Sequence, residues 1–258
     1  MTDDRINAIL DEISKVIVGK QLILKRVLAS LLANGHILFH DVPGLAKTMM
    51  ARSFSMVLGL TYNRISFTPD LLPADITGVS IFNIKNNEFE FKKGPIHCSL
   101  LLADEINRAS PKTQSALLEA MQEKTLTIDG HTYQLGPPFI VMATENPLEF
   151  EGTFPLPEAQ LDRFLMKTTV GYPSYDDEII ILQNRIARKK EDFNLKQILS
   201  ANELANLQNE VENVTISQPI IEYIVKLVSE TRNNPKISVG SSPRGSLGLL
   251  SASKSWAY

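Results

Sequence analysis

The segment Asp41-Val42-Pro43-Gly44-Leu45-Ala46-Lys47-Thr48 has the length and the Lys-Thr ending of a Walker A phosphate loop. In such a loop, successive backbone N–H groups and the positive end of the following helix surround phosphates. Lys47 then reaches the outer phosphates and the Thr48 hydroxyl ligates Mg²⁺. The consensus has glycine where Asp41 and Ala46 stand. Ala46 is acceptable if its backbone keeps a negative φ. Asp41 is harder, since a carboxylate ~4 Å from a phosphate charge is repelled by about 4 kcal/mol at an effective dielectric of ~20. Its side chain is therefore expected to point away from the ligand.

Other carboxylates and amides follow at strand ends. Leu100-Leu101-Leu102-Ala103-Asp104-Glu105 places two acids after an apolar run, the Walker B arrangement. Asp104, at the carboxyl edge of a sheet, can hold Mg²⁺ through water, and Glu105 can serve as general base on an attacking water. Phe139 to Thr144 leads into Glu145-Asn146, which puts an uncharged amide at the same edge, able to orient water beside the outermost phosphate. Ser242-Pro243-Arg244 reads as N-cap, first-turn proline and an arginine aimed from a helix start.

The elements that must position these residues are legible as periodicity. Apolar residues from Ile6 to Ile17 and from Leu22 to Leu32 recur at helical spacing, and a further helix runs from Lys47 to Leu58. Short strands are expected at Ile37 to Phe39, Asn63 to Phe67, Leu100 to Ala103, Phe139 to Thr144 and Leu165 to Val170. Strands alternating with helices imply an α/β fold, a mostly parallel five-stranded sheet with helices on both faces. Two hairpins interrupt the alternation, around Asn86-Asn87 and Asp129-Gly130. After Tyr172-Pro173 only helical patterns remain, at 176–190, 201–211, 218–230 and from 242 onward. The expected division is a nucleotide-binding α/β domain, 1–172, and a small helical lid, 173–258.

Composition closes off several function classes. Of 258 residues, 43% are hydrophobic and 21% charged, which fits a folded globular chain. No apolar run approaches the ~18 residues of a membrane span, and the polar start Met1-Thr2-Asp3-Asp4 is no signal peptide, so a cytoplasmic location is expected. The lone Cys98 can form no internal disulfide and anchors no structural zinc site. A net charge of −3 argues against a broad nucleic-acid surface. The densest basic run, Arg185, Arg188, Lys189 and Lys190, meets Glu191 and Asp192 directly and reads as a solvated helix end.

With these residues in view, the chain resembles the AAA+ ATPases and, within them, the MoxR family. The resemblance runs through Val16-Ile17-Val18-Gly19, Asp41 to Thr48, Phe67 to Gly78, Leu102 to Ala109, Ala143 to Pro147 and Leu156-Pro157-Glu158-Ala159-Gln160-Leu161-Asp162-Arg163-Phe164. It implies ATP and Mg²⁺ as ligands, with Val18 and Gly19 at the adenine and Asn146 as sensor 1. It also implies Arg163 as an arginine finger acting on a neighbouring subunit, and Arg244 as sensor 2 reaching the nucleotide of its own subunit. The hairpins match inserts that face a central pore or a client. A family lid normally continues past the sensor 2 helix, whereas this sequence stops within it. The implied function is an ATP-hydrolysing, hexameric, chaperone-like motor acting on a protein client, in this family often with a von Willebrand factor A domain partner. A nucleotide-gated binding module with little or no hydrolysis is the alternative. A small-molecule kinase leaves Asn146, Arg163 and Arg244 unexplained, and a DNA remodeller is disfavoured by the charge balance.

Overall fold

The computed structural model describes residues 3–148, 152–190 and 192–258. Met1 and Thr2 of the polar start, and Glu191 beside the basic run, lie outside them. Helices α1 (Asp4–Ser14) and α2 (Gln21–Leu32) precede strand β1 (Ile37–His40), helix α3 (Lys47–Val57) and strand β2 (Tyr62–Ser66). A short helix α4 (Pro73–Thr77) opens the first hairpin, β3 (Gly78–Asn83) and β4 (Glu88–Lys93). Then come β5 (Leu100–Asp104), a 3-10 turn at Ile106–Arg108 and helix α5 (Pro111–Glu123). The second hairpin, β6 (Thr125–Ile128) and β7 (His131–Gln134), leads to β8 (Ile140–Glu145), the one-turn helix α6 (Glu158–Leu161) and β9 (Met166–Thr168). Helices α7 (Tyr175–Arg188), α8 (Ala201–Glu212), α9 (Gln218–Asn233) and α10 (Pro243–Ala257) follow.

The five-stranded sheet has the order β2-β5-β8-β1-β9, and every pairing in it is parallel. Side chains alternate between two cores. Phe39, Leu100, Leu102, Ile140 and Met142 face one that includes residues of α1, α2 and α3. Leu38, Leu101, Ala103, Val141 and Ala143 face the other, with Ile76 of α4 and Leu117, Leu118 and Met121 of α5. Burial on both faces explains why strands such as β5 are apolar at every position up to their last residue. Parallel register brings the carboxyl ends of the strands level, pairing Ser66 with Asp104 and His40 with Glu145.

Strand β9 is shorter than the expected Leu165–Val170, because its flanking amides bond elsewhere. Leu165 N–H donates to the His36 carbonyl and Val170 N–H to the Asp41 carboxylate. Helix α5 begins as its sequence predicts, with Ser110 accepting from Thr113 N–H and Pro111 in the first turn. In the second hairpin Asp129 and Gly130 have φ of 50° and 79°, the left-handed pair of a type I′ turn. The hairpins touch, with Phe91 of β4 stacked on Tyr133 of β7 at 4.2 Å between ring centroids.

The helical part shares a hydrophobic core with the sheet part. Phe193, Leu195 and Leu199, with Leu204, Leu207 and Val211 of α8, belong to the same core as α1, α2 and α3. Helix α10 packs against α2, α8 and α9, and its buried Ser255 donates to the Ala29 carbonyl at 2.6 Å. Residue 172 thus marks where strands end, while the core continues beyond it. Helix α7 differs, with no buried residue and with Ile186 74% exposed.

Candidate active site

The phosphate loop runs from β1 into α3, with turns that carry positive φ at Gly44 (84°) and Ala46 (58°). The condition under which Ala46 is readily acceptable, a negative φ, is not met. As the N-cap of α3, Ala46 takes the left-handed conformation that turns the chain into the helix, at a cost of about 1–2 kcal/mol for a residue with a Cβ. Asp41 answers the second departure from consensus. Its Oδ2 accepts from Val170 N–H and Gly171 N–H, both at 2.7 Å, and its Oδ1 accepts from Val42 N–H at 3.0 Å. The carboxylate is therefore turned toward the chain that leaves β9. Nor is Asp41 among the residues at positive φ, so its backbone has no need of glycine.

Lys47 is buried, and its Nζ donates to the Asp41 and Val42 carbonyls at 2.7 and 3.0 Å. Burial pulls the ammonium below its ordinary pKa, opposed by the nearby charges of Asp41, Asp104 and Glu105. Asp104 ends β5 inside a network. Thr144 Oγ1 donates to its Oδ1 at 2.6 Å, and Arg64 of β2 donates to its Oδ2 at 2.6 Å. The same Thr144 hydroxyl accepts from Glu105 N–H at 2.8 Å. Glu105 itself sits at φ 56° and ψ 51°, and its carboxylate pairs with Arg108 at 2.9 Å. A non-glycine residue held left-handed beside the phosphate loop is the kind of strain that collects at functional sites.

Asn146, just past β8, is buried; its Oδ1 accepts from Leu148 N–H and its carbonyl from Asn107 Nδ2. Residues 43–49, Arg64, Asp104, Glu105, Thr144 and Asn146 enclose one cavity of about 400 Å³. Lys47, Thr48, Asp104, Glu105 and Asn146 are thus brought together at the carboxyl edge of the sheet.

Arg163 and Arg244 are not part of that group. Both line a different cavity of about 650 Å³ with His36, Lys124 and Asp162, where the chain enters β1 and β9. This is the amino edge of the sheet, separated from the phosphate loop by the four residues of β1, or about 13 Å. Ser242, the N-cap of α10, donates to Asp162 Oδ2 at 2.9 Å and so fixes Arg244 beside Arg163. Arg244 thus lies apart from the side chains that line the phosphate-loop cavity. Gly19, next to Val18 in the chain, lies elsewhere again, against α7: a Cβ on Gly19, whose φ is 71°, would fall 2.1 Å from Asp177 Oδ2.

Known proteins agree with the geometry. A profile of the ATPase family associated with various cellular activities (AAA) matches residues 36–166, from the start of β1 to the start of β9. The chain is 52% identical over 249 residues to the uncharacterized protein YeaC of Bacillus subtilis, covering 96% of this chain and 77% of YeaC. It is 45% identical over 255 residues to Chaperone MoxR1 of Mycobacterium tuberculosis, covering 95% of this chain and 67% of that protein. The chain belongs to the MoxR family of AAA+ ATPases. A crystal structure of a candidate ATPase from Cytophaga hutchinsonii superposes with a TM-score of 0.89 at 42% identity, over 97% of this chain and 78% of that one.

In this MoxR-family chain, sequence reasoning passed over Thr144, Arg64, Arg108 and Asn107. Thr144 carried a signal, being the one hydroxyl at the end of an apolar strand two residues before Asn146. Arg64 carried none, because its approach to Asp104 follows from the parallel register of β2 on β5. Arg108 stands three residues after Glu105, a spacing that suits a helical turn. Among the described residues no helix is long and apolar enough to cross a membrane.

Proposed function

We propose that this protein binds Mg-ATP in the cavity between the phosphate loop and the ends of β5 and β8, hydrolyses it, and does so as a hexameric ring that remodels a protein client in the cytoplasm. The observation that carries the reading is the convergence of Lys47, Thr48, Asp104, Glu105 and Asn146 on one cavity. One hydroxyl and one carboxylate suit Mg²⁺, which keeps several waters and otherwise takes phosphate oxygens. When bound, the ion neutralises charge on the outer phosphates. Lys47 leaves the Asp41 and Val42 carbonyls for the phosphates, and Asn146 steadies the attacking water whose proton Glu105 accepts.

The amino edge supplies the argument for a ring. Arg163 and Arg244 line a cavity apart from that of their own phosphate loop, and together they offer cations that a neighbour's polyphosphate can complete. Residues 1–172 act as the nucleotide-binding unit, and the helices after 172 carry Arg244 to its place. A von Willebrand factor A domain protein is the partner class that the family resemblance favours. The pairing of Glu105 with Arg108 favours the second reading, a nucleotide-gated module whose base is held out of use.

Steady-state ATPase activity as a function of protein concentration, measured beside Glu105→Gln, separates these readings. The motor predicts specific activity that rises with concentration and falls at least about a hundredfold in Glu105→Gln, with ATP still bound. Activity linear in concentration and indifferent to Glu105→Gln would remove the ring motor. Tight ATP binding without turnover in the unaltered protein would establish the gated module.

A further inference from the structure

Both segments assigned to nucleotide binding grip the same short stretch of chain. Asp41, the first residue of the phosphate loop, holds the amides of Val170 and Gly171 at 2.7 Å each. Lys20, beside Val18 and Gly19, donates through Nζ to the Tyr172 carbonyl at 2.7 Å. Asp177 of α7 lies against Gly19 so closely that no Cβ fits there. Residues 170–173 are the connection from the last strand to the first of the C-terminal helices. Within the loop, Lys47 donates to the carbonyl of the same Asp41.

We infer that Asp41 is a positioning residue that couples the phosphate loop to the β9–α7 connection, so that phosphate binding is felt by the C-terminal helices. The inference rests on the proposed nucleotide site and deepens it. Two N–H groups on one carboxylate oxygen, and a third on the other, fix the side chain with charge-assisted bonds, the stronger kind. They also fix the start of the loop, whose later amides must converge on phosphate. When Lys47 turns from the Asp41 carbonyl toward a phosphate, the peptide that carries Asp41 loses one of its ties. Any shift of that peptide is transmitted through the carboxylate to Val170 and Gly171. Glycine, the consensus residue at this position, can do none of this.

The test uses Asp41→Gly and Asp41→Asn with mant-ADP and Mg²⁺ as the probe, at a temperature where each variant is folded. Fluorescence gives Kd, and hydrogen exchange follows the amides of residues 168–175. Restoring the consensus glycine is expected to weaken mant-ADP binding by roughly tenfold, with Asp41→Asn in between because it keeps an acceptor for Val170 and Gly171. In the unaltered protein, mant-ADP should change exchange at Val170 and Gly171, and in Asp41→Gly at saturating mant-ADP that response should be lost. A role confined to stability would lower the melting temperature and leave both readouts alone. Unaltered Kd in Asp41→Gly, or an exchange response equal to that of the unaltered protein, overturns the inference. Should Asp41→Gly fail to fold, Asp41→Asn carries the same comparison. If the unaltered protein binds no mant-ADP at all, the nucleotide site itself is refuted, which is a distinct outcome.

Discussion

At the carboxyl edge of the central sheet the charged side chains of the candidate site are held by the chain itself. Lys47 is tied to its own loop, Asp104 to Thr144 and Arg64, Glu105 to Arg108, and Asp41 to two amides after β9. At the amino edge Arg163, Arg244 and Lys124 surround a larger cavity with Asp162 as the one acidic side chain in its wall among the described residues. There the Nε of Arg163 is buried without a hydrogen-bond partner among the described residues. A buried donor left in that state costs roughly 1–3 kcal/mol until something accepts from it. The first edge gathers charges already paired with one another; the second gathers cations round a cavity which, on the proposed function, a neighbouring subunit's nucleotide completes.

The largest effect expected from this contrast is at Arg163. Arg163→Ala should lower ATP turnover by about a thousandfold while nucleotide affinity stays within about threefold, because a finger stabilises the transition state of a neighbour's reaction. Mixing Arg163→Ala with Glu105→Gln should restore part of the activity at interfaces that pair an intact base with an intact arginine. If the mixture is no more active than its components, the amino edge is not completed by a second copy and the contrast breaks.

A second effect sharpens the contrast by pH. His36, under the arginine cavity, accepts from Val141 N–H at Nδ1, and its Nε2 faces the Met121 carbonyl, an arrangement that suits the neutral ring. Burial lowers its pKa from 6.5 to about 4, opposed by the bond to Met121 and reinforced by Lys124. The unfolded chain therefore binds the proton more readily. The stability due to neutral His36 is complete above about pH 6.5 and is lost as pH falls toward 4, by roughly 3 kcal/mol in all. Urea denaturation at steps between pH 7.5 and 4.5 should show this decline, and His36→Gln should flatten it. An unchanged slope in the variant would place the acid sensitivity elsewhere.

The smallest effect concerns Ala46. Since its φ is 58°, Ala46→Gly removes a left-handed penalty and is expected to raise stability by up to about 1 kcal/mol, seen as a higher melting temperature. A lower one would mean that the alanine methyl is needed where it stands.

The sequence is more informative about strands than about where side chains meet. Apolar runs bounded by turn residues locate the three inner strands β1, β5 and β8 to within a residue or two, because a strand buried on both faces leaves little room for polar residues. Asp104, Glu105 and Asn146 are readable for the same reason, each lying at or just past the end of such a run, and Lys47 and Thr48 are readable from the Lys-Thr ending of the phosphate loop. The limits appear where tertiary placement decides. Periodicity marks helices after residue 172 but cannot say that α8 enters the main core, or that α10 docks through Ser242 on Asp162 and carries Arg244 to the far edge. The left-handed turn at Ala46 is not legible, because alanine gives no local sign of a positive φ. Asp41 reads as a defect until its partners, some 130 residues away in the chain, are in view.

The stacked rings of Phe91 and Tyr133 make two separate excursions of the chain into one crossbar. The first hairpin leads directly into β5, which ends in Asp104, and the second follows α5 directly. A load applied at either tip, Asn87 or Gly130, passes through the rings to both roots. The two projections therefore yield or resist together, and a force on one is shared by the strand that carries Asp104 and by the helix beyond it.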